Sequence, residues 1–380
     1  MFNTANLGRI YVMLGTKCNL HCKYCMQEEV KCESKIKDAL KCSNYKERLD
    51  FVNFITRIAL DQKRKKPLNI MFWGGEPLVY FDTISVLIHQ MEKVMFDYYF
   101  RYAKMFSFEV FFRSKITFSV VTNGKLLNEE IVDFLNDKDF NVAISWDGKV
   151  SNDTRGYDVI KDKLDVINNL KNLTLTSVFS GKTSISEILN SYKEAENKLS
   201  VPFRTNIDDL IFSKSTPKEL TEMDYTKVAQ DIVNILTSEE YYKGNKYSKI
   251  YLGKFFTTLM LDRTFDKEAM SCCGSCKTFL NVDLYGNVYL CHNCDTIIGK
   301  YSSFGEVDLT PLQKIEEEKK CLRSKCKDCY VKDLCKGGCM LVSQEQRKAG
   351  YCEMKKALYT PVIDYYKQVL NKLLKGEIKK

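Results

Sequence analysis

The central part of the chain alternates short apolar runs of strand character with amphipathic helical stretches. The runs are rich in β-branched and aromatic residues, and most are followed by a turn and then by a helical pattern such as LNEEIVDFLND. They include RIYVMLG, LNIMFW (68–73), ITFSVV (116–121), NVAISW (141–146) and LTLTSVF (173–179). Repeated strand–helix units predict an α/β fold with a parallel sheet and crossover helices. About six units over residues 6–212 favour a partial, TIM-like (β/α)6 barrel over a full eight-unit barrel.

Two changes of pattern divide the rest of the chain. Residues 213–268 have helical character, and the remainder is rich in cysteine. This remainder contains one predicted hairpin, FLNVDLYGNVYLC, with Tyr285, Gly286 and Asn287 at its turn, and it ends in the helical stretch EMKKALYTPVIDYYKQVLNKLL. We therefore predict a barrel domain over residues 1–212, a helical connector over 213–268 and a cysteine-rich domain over 269–380.

Cysteine content and charge narrow the chemistry. The chain of 380 residues has 16 cysteines but 3 histidines, and it shows neither a signal peptide nor a run of about eighteen apolar residues. This predicts a soluble, cytoplasmic protein with no membrane partner. Because the cytosol is reducing, clustered thiols there indicate metal or redox chemistry, and thiolates favour zinc or iron–sulfur clusters. The net charge of +9 is spread without a dense basic stripe, so no nucleic-acid partner is expected.

One polar loop after the first predicted strand, TKCNLHCKYC, carries Cys18, Cys22 and Cys25 with the spacing C-x3-C-x2-C. Three thiolates can hold three irons of a four-iron cluster and leave the fourth iron open, and an open coordination position is typical of a catalytic metal site. The alternative is a buried helix face, since the cysteines lie at i, i+4 and i+7. Three aligned cysteines are a poor way to build a core, so we interpret them as cluster ligands.

This loop resembles the cluster-binding loop of the radical S-adenosylmethionine (SAM) enzymes, which follows the first barrel strand. The resemblance implies that the open iron binds the amino and carboxylate groups of SAM. Electron transfer then cleaves SAM to methionine and a 5′-deoxyadenosyl radical, which abstracts a hydrogen atom from a substrate. It also implies that the enzyme is active in the absence of oxygen and receives electrons from a reducing partner such as flavodoxin or ferredoxin. Tyr24 matches a position where the family often places an aromatic ring against the adenine.

Two further turns follow predicted strands and resemble segments of the family that contact SAM. In WGGEP (73–77) the glycines allow close backbone approach, and the glutamate can accept a hydrogen bond from an ammonium group. SWDG (145–148) resembles the segment that contacts the ribose and carboxylate of SAM, and a basic residue follows in NDTRG. Each turn taken alone is also an ordinary strand-ending turn. The SAM contacts that the resemblance implies are Gly74, Gly75, Glu76, Ser145, Asp147 and Arg155.

The C-terminal cysteines have a spacing that resembles the seven-cysteine SPASM extension of peptide- and protein-modifying radical SAM enzymes. The resemblance implies two auxiliary [4Fe–4S] clusters, and hence three [4Fe–4S] clusters in all. The first would use Cys276, Cys291, Cys339 and either Cys272 or Cys273. The second would use Cys326, Cys329, Cys335 and Cys352. The rival interpretation is two zinc sites, because C-x2-C pairs suit zinc equally well. Cys32, Cys42, Cys294 and Cys321 receive no role.

The extension implies a peptide or protein substrate. Enzymes of this type include anaerobic sulfatase maturases, which oxidise Cys or Ser to formylglycine, and enzymes that form thioether or carbon–carbon crosslinks in ribosomally made peptides. Sulfatase maturases carry an Asp base directly after the cysteine that matches Cys291, whereas this chain has His292, which can also accept a proton. We therefore favour a crosslinking peptide maturase with His292 as the candidate base, and formylglycine formation is the alternative.

Two non-enzymatic classes explain fewer of the motifs. A non-catalytic iron–sulfur electron carrier has no use for SAM contacts, and a zinc-stabilised interaction protein needs no three-cysteine loop. The first strand lies close to residue 1, so we expect no added leader-recognition domain. Peptide recognition is then expected to use the barrel, the aromatic-rich helical stretch 94–112, predicted to pack mostly in the core, or a separate leader-binding protein.

Overall fold

One ten-stranded sheet organises the protein. The computed structural model describes residues 4–27, 36–39, 45–103, 107–239, 243–261, 273, 277–310 and 324–375. The strand order is β10–β9–β8–β7–β1–β2–β3–β4–β5–β6. The strands are β1 Arg9–Met13, β2 Leu68–Trp73, β3 Ile116–Thr122, β4 Asn141–Ser145, β5 Leu173–Phe179, β6 Phe203–Asp209, β7 Phe279–Val282, β8 Asn287–Tyr289, β9 Ile297–Tyr301 and β10 Val307–Asp308.

Helices join the strands and cover one face of the sheet. They are α1 Tyr45–Ala59, α2 Phe81–Tyr102, α3 Phe108–Lys115, α4 Glu129–Asp137, α5 Ser151–Arg155, α6 Val159–Asp162, α7 Leu164–Ile167, α8 Ile185–Glu196, α9 Lys218–Thr221, α10 Tyr225–Thr237, α11 Lys246–Met260, α12 Lys332–Cys335, α13 Gln344–Gln346 and α14 Cys352–Leu374. Short 3-10 helices lie at Thr4–Asn6, Pro77–Tyr80 and Gly148–Val150, and a π-helical turn lies at Arg347–Tyr351. Several begin at side-chain caps, for example α8, where Ser184 and Glu187 form a capping box.

Strands β1 to β6 are parallel neighbours in chain order, which confirms the predicted α/β fold with a parallel sheet core. On its other side β1 pairs in parallel with β7, with Arg9 opposite Phe279. The chain then turns through antiparallel β7, β8 and β9, as the hairpin motif predicts, with Gly286 at a φ of 87°. Strands β6 and β7, which flank the predicted boundary at residue 269 in the chain, therefore belong to one sheet, and the three-part division stays a prediction.

The two faces of the parallel sheet differ in polarity. Alternate side chains such as Ile10, Ile70 and Phe118 are buried in the hydrophobic core beneath the helices. The opposite face carries polar side chains that bond across strands. Asn69 Nδ2 donates to Ser119 Oγ at 2.9 Å. Arg9 Nε donates to Asn69 Oδ1 at 3.0 Å, and Arg204 Nη2 donates to Asn141 Oδ1 at 2.7 Å. A full β/α barrel fills this space with branched apolar residues, so the polar face here is suited to a polar ligand.

The aromatic stretch 94–112 forms two helices rather than one. Helix α2 ends where Ala103 takes an extended conformation, and α3 begins at Phe108. Their rings contact each other, with Phe96 and Phe108 centroids 5.2 Å apart, yet Phe100 is 81% exposed. The stretch is therefore only partly core. Within the described residues, no helix is both long enough and apolar enough to span a bilayer.

Candidate active site

The three predicted cluster cysteines lie together in the loop after β1. Burial raises the pKa of the Cys22 thiol to about 11; Arg155 opposes this shift, whereas Cys25 and Cys18 add to it. The influence of Cys18 and Cys25 on Cys22 agrees with three thiols that lie near one another in this loop. The Cys18 sulfur accepts a hydrogen bond from the backbone N–H of Leu20 at 3.4 Å. The loop thus presents three neighbouring sulfurs, one of which already has a backbone donor.

Two glycines of the WGGEP turn hold this loop by backbone contact. The Gly75 N–H donates to Gly15 O at 3.1 Å, and the Glu76 N–H donates to Lys17 O at 2.8 Å. A Cβ atom at Gly75 would lie 2.3 Å from Lys17 O, and one at Gly74 would lie 2.8 Å from Gly15 O. Both distances are far below a normal contact, so these positions need glycine because two backbones meet there. The glycines thus allow close approach to the cysteine loop, and their contact with SAM stays a prediction.

Glu76 is fully buried and joins the second turn to the third. Its Oε1 accepts hydrogen bonds from Leu78 N at 3.0 Å and from Thr122 Oγ1 at 2.7 Å, while Oε2 accepts one from Asn123 N at 2.8 Å. Burial raises the pKa of this carboxyl group, although the three donors oppose the shift. One acceptor position on Oε2 remains after these bonds, which leaves room for a further donor.

The TNG turn after β3 completes this side of the site. Asn123 Nδ2 donates to Asn19 Oδ1 at 2.8 Å and lies 3.9 Å from the Cys18 sulfur. Gly124 has a φ of 76°, a conformation that favours glycine. Asn123 received no role in the sequence prediction because Asn-Gly is a common turn. Its position at a strand end, like that of GGEP and SWDG, was the available signal.

Asp147 organises the opposite side of the site. Its Oδ2 accepts hydrogen bonds from Tyr24 Oη at 2.5 Å, Thr154 Oγ1 at 2.7 Å and Arg155 Nε at 2.9 Å. Its Oδ1 accepts from Arg155 Nη2 at 3.0 Å and from Val178 N at 2.9 Å. The carboxylate is thus saturated by protein donors and fixes Tyr24 and Arg155. The predicted contact with SAM ribose remains a prediction, as does the contact of Ser145, which ends β4 half-buried on the polar face.

Arg155 places a cation between Asp147 and the cysteine loop. The guanidinium carbon lies 5.2 Å from the centre of the Tyr24 ring, and its charge acts on the Cys22 thiol. Burial alone would lower the pKa of Arg155, but the nearby Asp147 carboxylate outweighs this effect. The pKa is therefore raised, and the guanidinium stays charged. Its Nε and Nη2 bond to Asp147, and Nη1 has no hydrogen-bond partner within the described residues. This free donor could bind a carboxylate.

The donor set around the loop fits an iron–sulfur cluster held by three thiolates. Three thiols lie together, N–H groups point at one sulfur, and a buried cation balances negative charge. Within the described segments, no three His, Cys, Asp or Glu side chains are arranged to hold a single metal ion. The alternative of a buried helix face is not realised, because Asn19–Cys25 are not helical.

A second group of cysteines lies where β8 and the loop before α13 meet. The buried Cys291 thiol has a raised pKa, chiefly through burial and then through Cys294, with contributions from Cys339 and Cys273. Cys273 also raises the pKa of Cys339, so these residues are neighbours. Of the predicted ligands of the first auxiliary cluster, Cys272 and Cys276 lie outside the described residues. Cys294, which received no role, lies directly beside Cys291, with its N–H donating to Cys291 O at 3.3 Å.

A third group lies at the start of α14. Burial raises the pKa of the Cys335 thiol to about 11, Lys355 opposes this, and Cys326 and Cys352 add to it. Cys352 is influenced in turn by Cys326 and Cys329. The structure therefore brings together the four predicted ligands of the second auxiliary cluster. Their role as ligands stays a prediction.

His292 lies in an aromatic pocket between the first two cysteine groups. Its ring stacks on Tyr11 at 4.4 Å and meets Trp73 edge-on at 4.5 Å. Burial, with help from Arg9, lowers its pKa to about 4, so the ring is neutral. Gln27 Nε2 donates to the His292 carbonyl at 3.3 Å. Three buried polar atoms of this pocket have no hydrogen-bond partner within the described chain: Gln27 Oε1, Trp73 Nε1 and His292 Nδ1.

The comparisons with known proteins agree with this architecture. A family model described as the Radical SAM superfamily matches residues 12–190. The chain is 24% identical over 354 residues to the cysteine-type anaerobic sulfatase-maturating enzyme of Clostridium perfringens, covering 85% of each protein. It is 21% identical over 384 residues to the radical SAM cyclopropyl synthase TigE of Paramaledivibacter caminithermalis, covering 97% of this chain and 74% of that protein.

A solved structure described as native anSMEcpe with bound AdoMet and Cp18Cys peptide has the same fold. The TM-score is 0.64 at 20% sequence identity, covering 97% of this chain and 99% of that one. Fold and site together define an α/β enzyme with a thiol-rich centre at the carboxyl ends of parallel strands. Residues 12–190 match the Radical SAM superfamily, so the chain contains a radical SAM domain and is an enzyme. This domain implies a [4Fe–4S] cluster and SAM as cofactors.

Proposed function

We propose that this radical SAM enzyme oxidises a side chain of a ribosomally made peptide or protein. The observation that carries the proposal is the pocket of Gln27, Trp73 and His292. It places unpaired donor and acceptor atoms between the three-cysteine loop and the second cysteine group. A peptide amide offers both a donor and an acceptor, so it can satisfy such atoms at little desolvation cost. The polar sheet face extends this surface.

The cofactor would be held by residues of the four strand-end loops. Cys18, Cys22 and Cys25 would bind a four-iron cluster, and Arg155 Nη1 and Glu76 Oε2 would offer a donor and an acceptor to the carboxylate and ammonium of SAM. When bound, the cluster and SAM supply the one-electron chemistry that removes a hydrogen atom from a substrate. Asp147 contributes by keeping the Arg155 guanidinium and the Tyr24 ring in place.

The C-terminal cysteines would hold the two auxiliary clusters. Cys291, Cys339, Cys276 and either Cys272 or Cys273 would bind the first, and Cys273 is favoured by its influence on Cys291 and Cys339. Cys326, Cys329, Cys335 and Cys352 would bind the second. Cys291 directly precedes His292 of the pocket, which supports a role of the first auxiliary cluster in accepting an electron from the substrate. A flavodoxin or ferredoxin would supply the reducing electron, and a separate protein would present a leader peptide if one is needed.

Anaerobic reconstitution tests the cofactor assignment. We expect about twelve irons per chain, from three four-iron clusters, and reductant-dependent release of 5′-deoxyadenosine. Cys22→Ala should abolish this release, whereas Cys42→Ala, at a cysteine without a predicted role, should retain it. Zinc in place of iron, or no release from the unaltered protein, would contradict the proposal.

Two reactions are candidates. Crosslink formation is supported by the match to the cyclopropyl synthase and by His292 at a position where sulfatase maturases carry Asp. Formylglycine formation is supported by the matches to sulfatase maturases. Mass spectrometry of a cysteine-containing sulfatase peptide separates them, because formylglycine formation replaces sulfur by oxygen. A crosslink removes hydrogen and leaves the heavy atoms unchanged.

The pocket itself can be tested by fluorescence, because the chain has 2 tryptophans. In Trp146→Phe, Trp73 is the remaining tryptophan, and its emission should respond to a bound peptide. Trp73→Phe keeps a ring against His292 but removes the unpaired N–H, so we expect weaker peptide binding with SAM affinity unchanged. Equal peptide affinity in both proteins would remove Trp73 from the proposed binding site.

A further inference from the structure

A buried lysine lies beside the third cysteine group, on the opposite side of α14 from solvent. Lys355 is 9% exposed and follows Cys352 by one helical turn. Its Nζ forms an ion pair with Asp209 Oδ2, at the carboxyl end of β6, and Tyr359 Oη donates to the same oxygen at 2.5 Å. Tyr351 and Tyr359 rings flank the ammonium, each with its centroid at 5.4 Å.

The alternation of β6 explains how this pair forms. Asp209 lies opposite Phe179 in the register with β5, so it is on the helix-covered face of the sheet, whereas the preceding Asp208 lies on the polar face. The Asp209 carboxylate therefore points toward α14. Burial alone would lower the pKa of Lys355 and raise that of Asp209, but each partner reverses the shift of the other. Both groups are thus charged in the interior.

The Lys355 charge acts on the cysteine group. Lys355 follows Cys352 by three residues on α14, so the two side chains lie on the same face of the helix, whereas Asp209 reaches the ammonium from β6. Lys356 also influences Cys329 and Cys352, but its side chain is 49% exposed and paired with Glu353. Solvent screens an exposed charge much more than a buried one, so Lys355 should have a larger effect than Lys356.

A buried ion pair is costly to build and is a weak source of stability. A pair of Leu and Met would fill this interface between sheet and helix at least as well. The pair therefore suggests an electrostatic role. A four-iron cluster with four thiolates is already negative, and reduction adds another electron, so a nearby fixed cation favours the reduced state.

We propose that Lys355, oriented by Asp209, is a positioning residue that raises the reduction potential of the cluster bound by Cys326, Cys329, Cys335 and Cys352. The inference rests on the second auxiliary cluster of the proposed function. It adds that the barrel strand β6 sets the charge beside that cluster. The barrel and the cysteine-rich region would then be coupled electrostatically as well as by packing.

The test is a redox titration of the reconstituted protein, followed by electron paramagnetic resonance at fixed pH. Lys355→Met should shift the potential of the Cys326-dependent signal to more negative values. Asp209→Asn should shift it to more positive values, because it leaves the cation without its partner. Lys356→Met is the matched control and should shift it less than Lys355→Met, and Lys355→Arg should stay near the unaltered protein.

Measuring the free energy of unfolding beside the reduction potential separates the proposed electrostatic role of Lys355 from a purely structural one. Each single variant leaves an unpaired buried charge, so both should lose stability, while their potentials move in opposite directions. The double variant Lys355→Met with Asp209→Asn leaves no unpaired charge and should fold even where a single variant does not. Its potential should lie below that of the unaltered protein, because Lys355 shares a helix face with Cys352, whereas Asp209 lies on β6.

Unchanged potentials, or shifts of equal sign in the two single variants, would overturn the role of Lys355 while leaving the cluster in place. A spectrum of the unaltered protein without any signal that Cys326→Ala removes would overturn the proposed second auxiliary cluster itself. The two failures are therefore distinguishable.

Discussion

The cysteine loop of the barrel and the cysteine groups of the C-terminal region reach similar thiol clusters by different means. The barrel loop depends on partners that lie far away in the chain. The WGGEP turn holds it through the bond from Glu76 N–H to Lys17 O, and the SWDG segment through the bond from Tyr24 to Asp147. The third group, in contrast, comes from one short segment, 326–335, and the start of α14. The loop between them is held by Arg347, which lies within ten residues of the carbonyls that it binds.

This difference predicts how far the effect of a substitution spreads in each region. In the barrel, parallel strands bring four loops to one edge of the sheet, and buried carboxylates join them. A change at one loop should therefore disturb the others and the binding of SAM. The loop between the third group's segment and α14 has local contacts, so a change there should leave SAM cleavage intact.

The largest effect is expected at Asp147. Asp147→Asn removes the charge that pairs with buried Arg155 and disrupts bonds to five donor atoms. Breaking a buried pair by removing one partner costs about 3–5 kcal/mol, so we expect a loss of that order in the free energy of unfolding. Urea denaturation measures it, and SAM affinity should fall as well. Asp133→Asn, at an exposed site on α4, is the control.

A normal SAM affinity in Asp147→Asn would show that the loops are positioned independently. The positions of the barrel loops would then depend on contacts within each loop, as the positions of the C-terminal segment do.

The next effect concerns the C-terminal region. Arg347 is buried and donates to Val342 O at 3.2 Å, Gly337 O at 2.7 Å and Cys339 O at 2.8 Å. Arg347→Met leaves these carbonyls without their charged donor, and we expect a loss of about 2–3 kcal/mol in the free energy of unfolding. Lys348→Met, at the exposed neighbour, should change little. SAM cleavage without substrate should persist, and its loss would show that the two regions are not separable.

A smaller effect is expected at the backbone contact between two barrel loops. Gly75→Ala places a Cβ atom 2.3 Å from Lys17 O, so the cysteine loop must move, at a cost of about 1–3 kcal/mol. Gly253→Ala is the matched control, because nothing lies within 4 Å of its Cβ position in α11. Alanine in a helix interior should stabilise the protein by about 0.5–1 kcal/mol.

The iron content after reconstitution shows whether Gly75→Ala displaces the cysteine loop. We expect it to fall in this variant and to stay normal in Gly253→Ala. Full iron with unchanged SAM cleavage would mean that the loop tolerates the displacement.

The sequence was sufficient to predict much of this arrangement. The strand pattern, the turns at strand ends and the hairpin around Gly286 depend on local patterning and chain order, and the structure agrees with them. The saturation of Asp147 could not be predicted, because Thr154 and the N–H of Val178 reach it only through the fold. The pairing of Lys355 with Asp209 is equally invisible, since the two residues are far apart in sequence.

The break in the aromatic stretch has a related cause. The aromatic-rich stretch 94–112 is predicted to be helical, but Ala103 takes an extended conformation at the end of α2. The change of direction lets Phe108 pack back on Phe96 and Tyr99. Packing between the two helices, rather than local preference, decides this boundary.

The smallest effect is expected at a surface link between the same barrel loops. Lys23 Nζ bonds to Asp153 Oδ1 at 2.6 Å and to Glu219 Oε1 at 3.0 Å, and Lys182 lies near both acids. All four side chains are at least 31% exposed, and such pairs gain little because solvent screens them. The backbone N–H of Lys23 also donates to Thr154 O at 2.9 Å, a bond that a side-chain change leaves intact. Lys23→Met should therefore keep the stability and SAM affinity of the unaltered protein at low and high salt. Two results together would contradict this: a large loss of SAM affinity in Lys23→Met, and the same loss in the unaltered protein at high salt. They would show that surface charge, rather than Asp147 and Gly75, holds the cysteine loop.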